Sequence, residues 1–188
     1  MLMLDASNRI TAAADTGPLL SAFQAECQPL LRRYFAGILI VQSQLAEFQK
    51  HGAATKLQEL IDTGFVLVIQ GLTAPEQSEA KRIAHRIATA ISSRDPIPEH
   101  HLPEAELMVI SQRAELDCEA IVLDEKAARE IAEEIDLPAI GFMGILGRAG
   151  SDGILTKDEI RRLLRACQSQ GTHYKDSLIE FVAQTYGR

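Results

Sequence analysis

Four carboxylates in this chain stand where a fold places chemistry: Asp15, Glu47, Glu104 and Asp124, with Glu106 and Glu125 as close neighbours. Asp15 ends the apolar run Ile10-Thr11-Ala12-Ala13-Ala14 and precedes Thr16-Gly17-Pro18-Leu19-Leu20. Asp124 ends a second run, Ala120-Ile121-Val122-Leu123, and Glu125 follows it. Glu47 and Glu104 each fall in the first turns of a helix-like segment. Hard oxygen donors of this kind suit Mg²⁺ or Mn²⁺, and a divalent ion relieves the repulsion between crowded carboxylates. Such an ion activates water and stabilises charge on a phosphoryl group. Spacing alone does not bring the four acids together, since they spread over most of the chain.

Each acid also has an ordinary structural reading. Asp15 and Thr16 both suit the start of a helix, where side-chain oxygens accept from free N–H groups. Glu47 reads equally as a solvent-facing helix acid. Glu104 and Glu106 follow Pro103 in a first turn, where acids complement the helix dipole. His100 and His101 are adjacent in a three-proline loop over 92–103, and loop neighbours rarely chelate one metal together, so no metal role is expected of the pair. The segment Asp152–Glu159 resembles half of a calcium loop, but Arg148 and Gly150 stand where side-chain oxygens are required. Thr156 with Glu159 reads instead as a capping box.

The elements that must position these residues are legible from periodicity. Apolar runs over 9–14, 37–41, 65–69, 120–125 and 137–141 predict five short buried strands, of the type found in a parallel sheet covered on both faces. Apolar residues at three- and four-residue spacing predict one helix over 17–33 and a long one over 75–92, the latter with Ala80, Ile83, Ala84, Ile87, Ala88 and Ile91 inward. Further helices are expected after Ser43-Gln44, with Ser43 near its N-cap, and over 54–62, from 103, over 126–135, around Gly144–Gly150, and over 156–168 and 174–185. Two strands that each end in Asp before a helix suggest two carboxylates at one sheet edge, where open α/β folds bind their ligands.

At 188 residues, 46% hydrophobic and 24% charged, the chain is long enough for one domain with a substantial core. Its net charge of −7 argues against a uniformly basic nucleic-acid face, though a local basic groove can coexist with an acidic metal site. Three dispersed cysteines, without a C-x-x-C, argue against a disulfide framework or zinc site and favour a cytoplasmic setting. The first nine residues do not read as a signal peptide, and no run is long enough to span a membrane.

The ordered set Asp-Thr-Gly-Pro-Leu, Gln-Ser-Gln-Leu-Ala-Glu, Pro-Glu-Ala-Glu and Ile-Val-Leu-Asp-Glu-Lys-Ala-Ala-Arg resembles a PIN domain. It is most similar to a toxin-like group that opens with Asp-Ser/Thr-Ser/Gly-Pro-Leu. Residues 140–146 and 153–155 add that group's glycine-spaced tail, so the resemblance covers about residues 9–165. It implies a three-layer α/β/α Rossmann-like fold with a mostly parallel sheet of four or five strands. The chain length suits a single domain over 1–188, and it departs from that group in a longer middle segment, 70–103, and in a C-terminal helical extension, 156–188. By the same resemblance Asp15 is the first metal-ligating acid, Glu47 the acid on the helix after the second strand, Glu104 the acid opening the later helix and Asp124 the strand-end acid. Thr16 matches the hydroxyl residue that orients the first acid, and Glu125 the second strand-end acid. Pro103 replaces the usual glycine, which leaves Glu106 as an alternative ligand to Glu104, and Gln42 replaces the usual proline after the second strand.

The implied activity is Mg²⁺- or Mn²⁺-dependent hydrolysis of RNA, with the toxin role of a toxin–antitoxin pair and an antitoxin protein as partner. A non-catalytic PIN-like binding or regulatory module is the alternative. A small-molecule Rossmann-like protein is disfavoured, since no G-x-G-x-x-G follows the first strand. A homodimer is a candidate assembly, through Phe181, Val182 and Tyr186, although such residues more often pack on their own core.

Overall fold

The computed structural model describes Leu4 and residues 8–188; the stretch read for signal character lies mostly outside them. Five strands form one all-parallel sheet: β1 (Ile10–Ala14), β2 (Phe35–Val41), β3 (Val66–Ile69), β4 (Cys118–Val122) and β5 (Ala139–Ile140). Their order is β3-β2-β1-β4-β5. The helices α1 (Thr16–Gln24), α2 (Gln28–Tyr34), α3 (Leu45–Lys50), α4 (Ala54–Asp62) and α5 (Ala74–Thr89) precede β4 in the chain, as does α6 (Leu102–Ile110). After it come α7 (Lys126–Glu134), α8 (Phe142–Ser151), α9 (Lys157–Ser169) and α10 (Asp176–Tyr186).

Alternation along the strands divides the core in two. Ala12, Ala14, Ile38, Ile40, Ala120 and Val122 face a layer built by α1–α4 and α8–α10. Ala13, Leu39, Val41 and Ile121 face the opposite layer of α5, α6 and α7. Both faces are therefore dry, which is why these strands read as continuous apolar runs. The arrangement is an α/β sandwich of the Rossmann-like kind. Among the described residues no helix is long and apolar enough to cross a membrane.

Three expectations are corrected. The stretch 17–33 forms two helices, because Pro29 has no N–H to continue the ladder and Glu26 takes φ 52°. The third run is only partly buried: β3 is the sheet edge, and Leu67 is 51% exposed. The long helix ends at Thr89, since Ala90 is extended (ψ 143°), and Ile91 leaves the apolar stripe for solvent. By contrast, the capping box of Thr156 and Glu159 is formed, with Glu159 Oε2 accepting from Thr156 N at 2.8 Å. All three cysteines are free thiols.

Candidate metal centre

β1 and β4 are neighbours, and the chain leaves them in opposite directions across the sheet, β1 towards β2 and β4 towards β5. A crevice opens at the carboxyl ends of such a strand pair. Asp15 and Asp124 both lie there. Asp15 N donates to Val122 O at 2.9 Å, locking the two strand ends together.

Asp15 is the N-cap of α1, with Oδ2 accepting weakly from Gly17 N at 3.4 Å. The capping role and a site role thus coincide in one side chain. The residue behind it is Gln44, fully buried in the short 3₁₀ turn Gln42–Gln44. Its Oε1 accepts from Val41 N at 2.8 Å. Its Nε2 faces Ala14 O at 3.2 Å, and Asp15 Oδ1 and Thr16 Oγ1 at 3.4 Å each. Thr16 is buried beside it. Ser43, expected near a helix cap, instead donates to Glu106 Oε2 at 2.5 Å. The 3₁₀ turn intervenes before α3, so the capping geometry does not arise.

Burial pushes the Asp15 carboxyl up to about 6, and the charges of Glu47 and Asp124 add to that, while the N–H groups of Thr16 and Gly17 oppose it. Burial pushes Glu104, in the first turn of α6, up to about 9, with the charges of Asp15, Glu125 and Glu47 adding. A buried carboxylate among other carboxylates holds its proton unless a cation takes that place. The acids from β1, α3, α6 and the end of β4 therefore share one electrostatic neighbourhood. Glu106 lies further along α6, paired with Ser43.

Asp124 is held differently. Oδ1 accepts from Phe142 N, at the start of α8, at 2.8 Å. Oδ2 accepts from the Tyr174 hydroxyl at 3.0 Å, and Ser21 Oγ lies 3.1 Å from the same tyrosine oxygen. Burial raises its pKa, and these two donors pull it back. Arg129 Nη1 donates to the backbone oxygens of Leu123 and Asp124 at 3.0 and 2.6 Å, fixing the turn after β4. A Cβ on Gly141 would lie 2.9 Å from Asp124 Oδ1, so only glycine lets α8 approach this close.

Among the described residues, His101, Glu104 and Glu125 bring one ligand atom each within 4.8 Å of one another. Asp15 and Asp124 stand outside that group. His100 turns away to Asp95 Oδ2 at 2.7 Å, so the adjacent histidines do not act as a pair. A cavity of about 1190 Å³ opens on His101, Glu104, Asp124 and Glu125, with Lys126, Arg129, Arg94 and Arg148 also lining it. Met143, Leu178, Phe181 and Tyr186 give the same cavity an apolar and aromatic stretch of lining.

Sequence reasoning missed Gln44, His101, Gly141 and Tyr174 in this neighbourhood. Neither a glutamine shortly after a buried strand nor a histidine pair just before a helix rich in acids is distinctive by itself. Tyr174 left no signal, since its contact spans 50 positions.

A parallel sheet with Asp15 and Asp124 at its central switch point, backed by a dry core, defines an α/β Rossmann-like fold with an acidic carboxyl edge. The family model described as a PIN domain matches residues 11–188, and the chain belongs to that family. No curated protein and no solved structure was found to match it.

Proposed function

We propose that this PIN domain is a ribonuclease that hydrolyses RNA phosphodiester bonds at the acidic edge of its sheet with Mg²⁺ or Mn²⁺. The observation that carries the reading is the crowding of buried acids at this edge: burial drives Asp15 up to about 6, with the charges of Glu47 and Asp124 adding, and Glu104 up to about 9, with those of Asp15, Glu125 and Glu47 adding. An all-oxygen donor set so crowded fits a hard divalent ion. Asp15, Glu104 and Asp124 would hold it, with Glu47 completing the site. Glu106 is the weaker candidate, because its carboxylate already accepts from Ser43. A divalent ion bound there supplies activated water and offsets charge on the phosphoryl group.

The chain's own residues do the remaining work. Gln44 Nε2, itself held by Thr16 Oγ1, and the Thr16 backbone N–H aim the Asp15 carboxylate, and Phe142 N and Tyr174 aim that of Asp124. Glu125 borders the same acids. Lys126, Arg94 and Arg129 line the cavity as a local cationic wall for a polyanion, despite the negative net charge.

Asp15→Asn should abolish Mn²⁺-dependent cleavage, by more than the ~10–100-fold that outer partners of a metal contribute. Calorimetry with Mn²⁺ on wild type and variant, with RNA cleavage on the same samples, checks it. Cleavage that survives in the variant would remove Asp15 from the site. No binding at millimolar metal would favour the second reading, a non-catalytic binding or regulatory module, for which the internal donors on both Asp124 oxygens already speak.

The toxin role, with an antitoxin partner and a cytoplasmic setting, is supported by the toxin-like opening and tail; a short open reading frame beside the gene is its expected sign. The exposure of Phe181 and Tyr186, with Val182 buried, supports a homodimer surface of two of the three residues, and sedimentation tests it. We take 1–188 as one unit in which 156–188 extends the fold, an arrangement supported by the packing of α9 and α10 on α8.

A further inference from the structure

His101 is 3% exposed, and the ring is oriented by its surroundings. Nε2 lies 2.9 Å from Asp95 O. A backbone carbonyl only accepts, so Nε2 carries the proton of that bond. Asp95 is itself braced: Ser93 Oγ donates to its backbone oxygen at 2.9 Å, and Ile97 N to Oδ1 at 3.0 Å. The loop before α6 thus presents the other ring nitrogen, Nδ1, to two carboxylates. Nδ1 lies 3.3 Å from Glu125 Oε2 and 3.9 Å from Glu104 Oε2. Despite that proximity it makes no hydrogen bond among the described residues. A buried polar nitrogen left unpaired is costly, and a neutral nitrogen's lone pair facing the Glu125 carboxylate at 3.3 Å is repulsive.

We propose that His101 Nδ1, Glu104 and Glu125 form a binding site for a divalent first-row transition ion. Metal bonds of ~2.0–2.2 Å to nitrogen and oxygen place adjacent donors roughly 3.0–3.5 Å apart, and the 3.3 Å pair already has that separation. The 3.9 Å pair needs a small inward move of the Glu104 side chain. One imidazole nitrogen with two carboxylate oxygens suits Mn²⁺ or a later transition ion better than Mg²⁺, which prefers oxygen alone. The bond from Nε2 to a backbone carbonyl is the usual support of a metal-ligating histidine, fixing its tautomer and raising its basicity. The site borders the cavity, so an ion there meets whatever the cavity binds. It rests on the acidic-centre reading through Glu104 alone, which the two sites share, and Asp15 has no part in it.

The test is Mn²⁺ added to the metal-free full chain, read by pulsed electron paramagnetic resonance for coupling to imidazole nitrogen. Wild type should show the coupling, and His101→Gln should lose it, with Mn²⁺ affinity down at least tenfold and Mg²⁺ affinity nearly unchanged. Glu125→Gln, on the more open side, should keep the coupling and bind more weakly, which guards against a folding defect in the histidine variant. Asp15→Asn should keep the coupling even where it abolishes cleavage. Bound Mn²⁺ without nitrogen coupling in wild type, or coupling that persists in His101→Gln, would overturn this site and leave the acidic centre standing. Absence of any Mn²⁺ binding would overturn both.

Discussion

Gln44 shows how much of this site is made by a residue that does no chemistry. Its amide satisfies the Val41 N–H and turns its own N–H₂ towards Ala14, Asp15 and Thr16. It therefore couples the end of β2 to the end of β1. Gln44→Ala should lower metal-dependent activity by ~10–100-fold, as loss of an outer partner does. It should also cost about 1–3 kcal/mol, because the Val41 N–H is left buried and unpaired. Mn²⁺ titration beside thermal melting separates the two effects: a melting shift with unchanged metal affinity would make Gln44 a purely structural residue. The strand-end position of Asp15 was legible in the sequence, because an apolar run that stops abruptly at an acid marks where a buried strand reaches the sheet edge. Gln44 was not, because a glutamine after a strand reads as solvent-facing until the partner strand is known. His101 was hidden for a similar reason: adjacency to His100 argued against shared ligation, and adjacency says nothing of either ring alone.

Among the elements, α8 carries the closest tolerances. It begins by donating Phe142 N to Asp124 and ends against the last turn of α10. A Cβ on Gly150 would lie 2.5 Å from Tyr186 O and 2.9 Å from Ile160 Cδ1. One of these atoms is backbone, so the clash is not relieved by a rotamer change. Gly150→Ala should destabilise the protein by ~1–3 kcal/mol through overpacking. For a chain of this size that lowers the melting temperature by roughly 2–4 °C per kcal/mol, which calorimetry reads directly. Unchanged melting would mean that α10 moves aside freely. Helix existence and most boundaries followed from periodicity and caps, as the capping box at Thr156 illustrates. What failed were ends set by a single backbone angle. Glu26 and Ala90 turn the chain out of helix, and neither residue type announces it. The exposure of Leu67 was likewise hidden, since only the strand order makes β3 an edge.

At the scale of the molecule, the site is held at the expense of stability. Asp15 and Glu104 bind protons more tightly folded than unfolded, with ordinary values of 3.8 and 4.5 against about 6 and about 9. Between those limits the folded state holds more protons, so stability falls as pH rises. The metal-free protein should therefore melt progressively lower from pH 5 to pH 9, with most of the loss above pH 6 carried by Glu104. Mn²⁺ should reverse the trend, since it favours the ionised carboxylates. Melting curves across that range, with and without metal, decide it; a metal-free protein that melts higher at pH 9 than at pH 5 would contradict the assignment of strain to these two acids.

The strand order has a consequence in time. β1 is the third strand across the sheet and the first to be made, and its partner β4 lies about a hundred residues later, some 5–20 s of synthesis at ordinary rates of ~5–20 residues/s. Throughout that interval the apolar run ending at Asp15 keeps one edge unpaired. The acid, exposed and charged at the tip of that edge, guards it against pairing with a neighbouring chain before β4 arrives to close it.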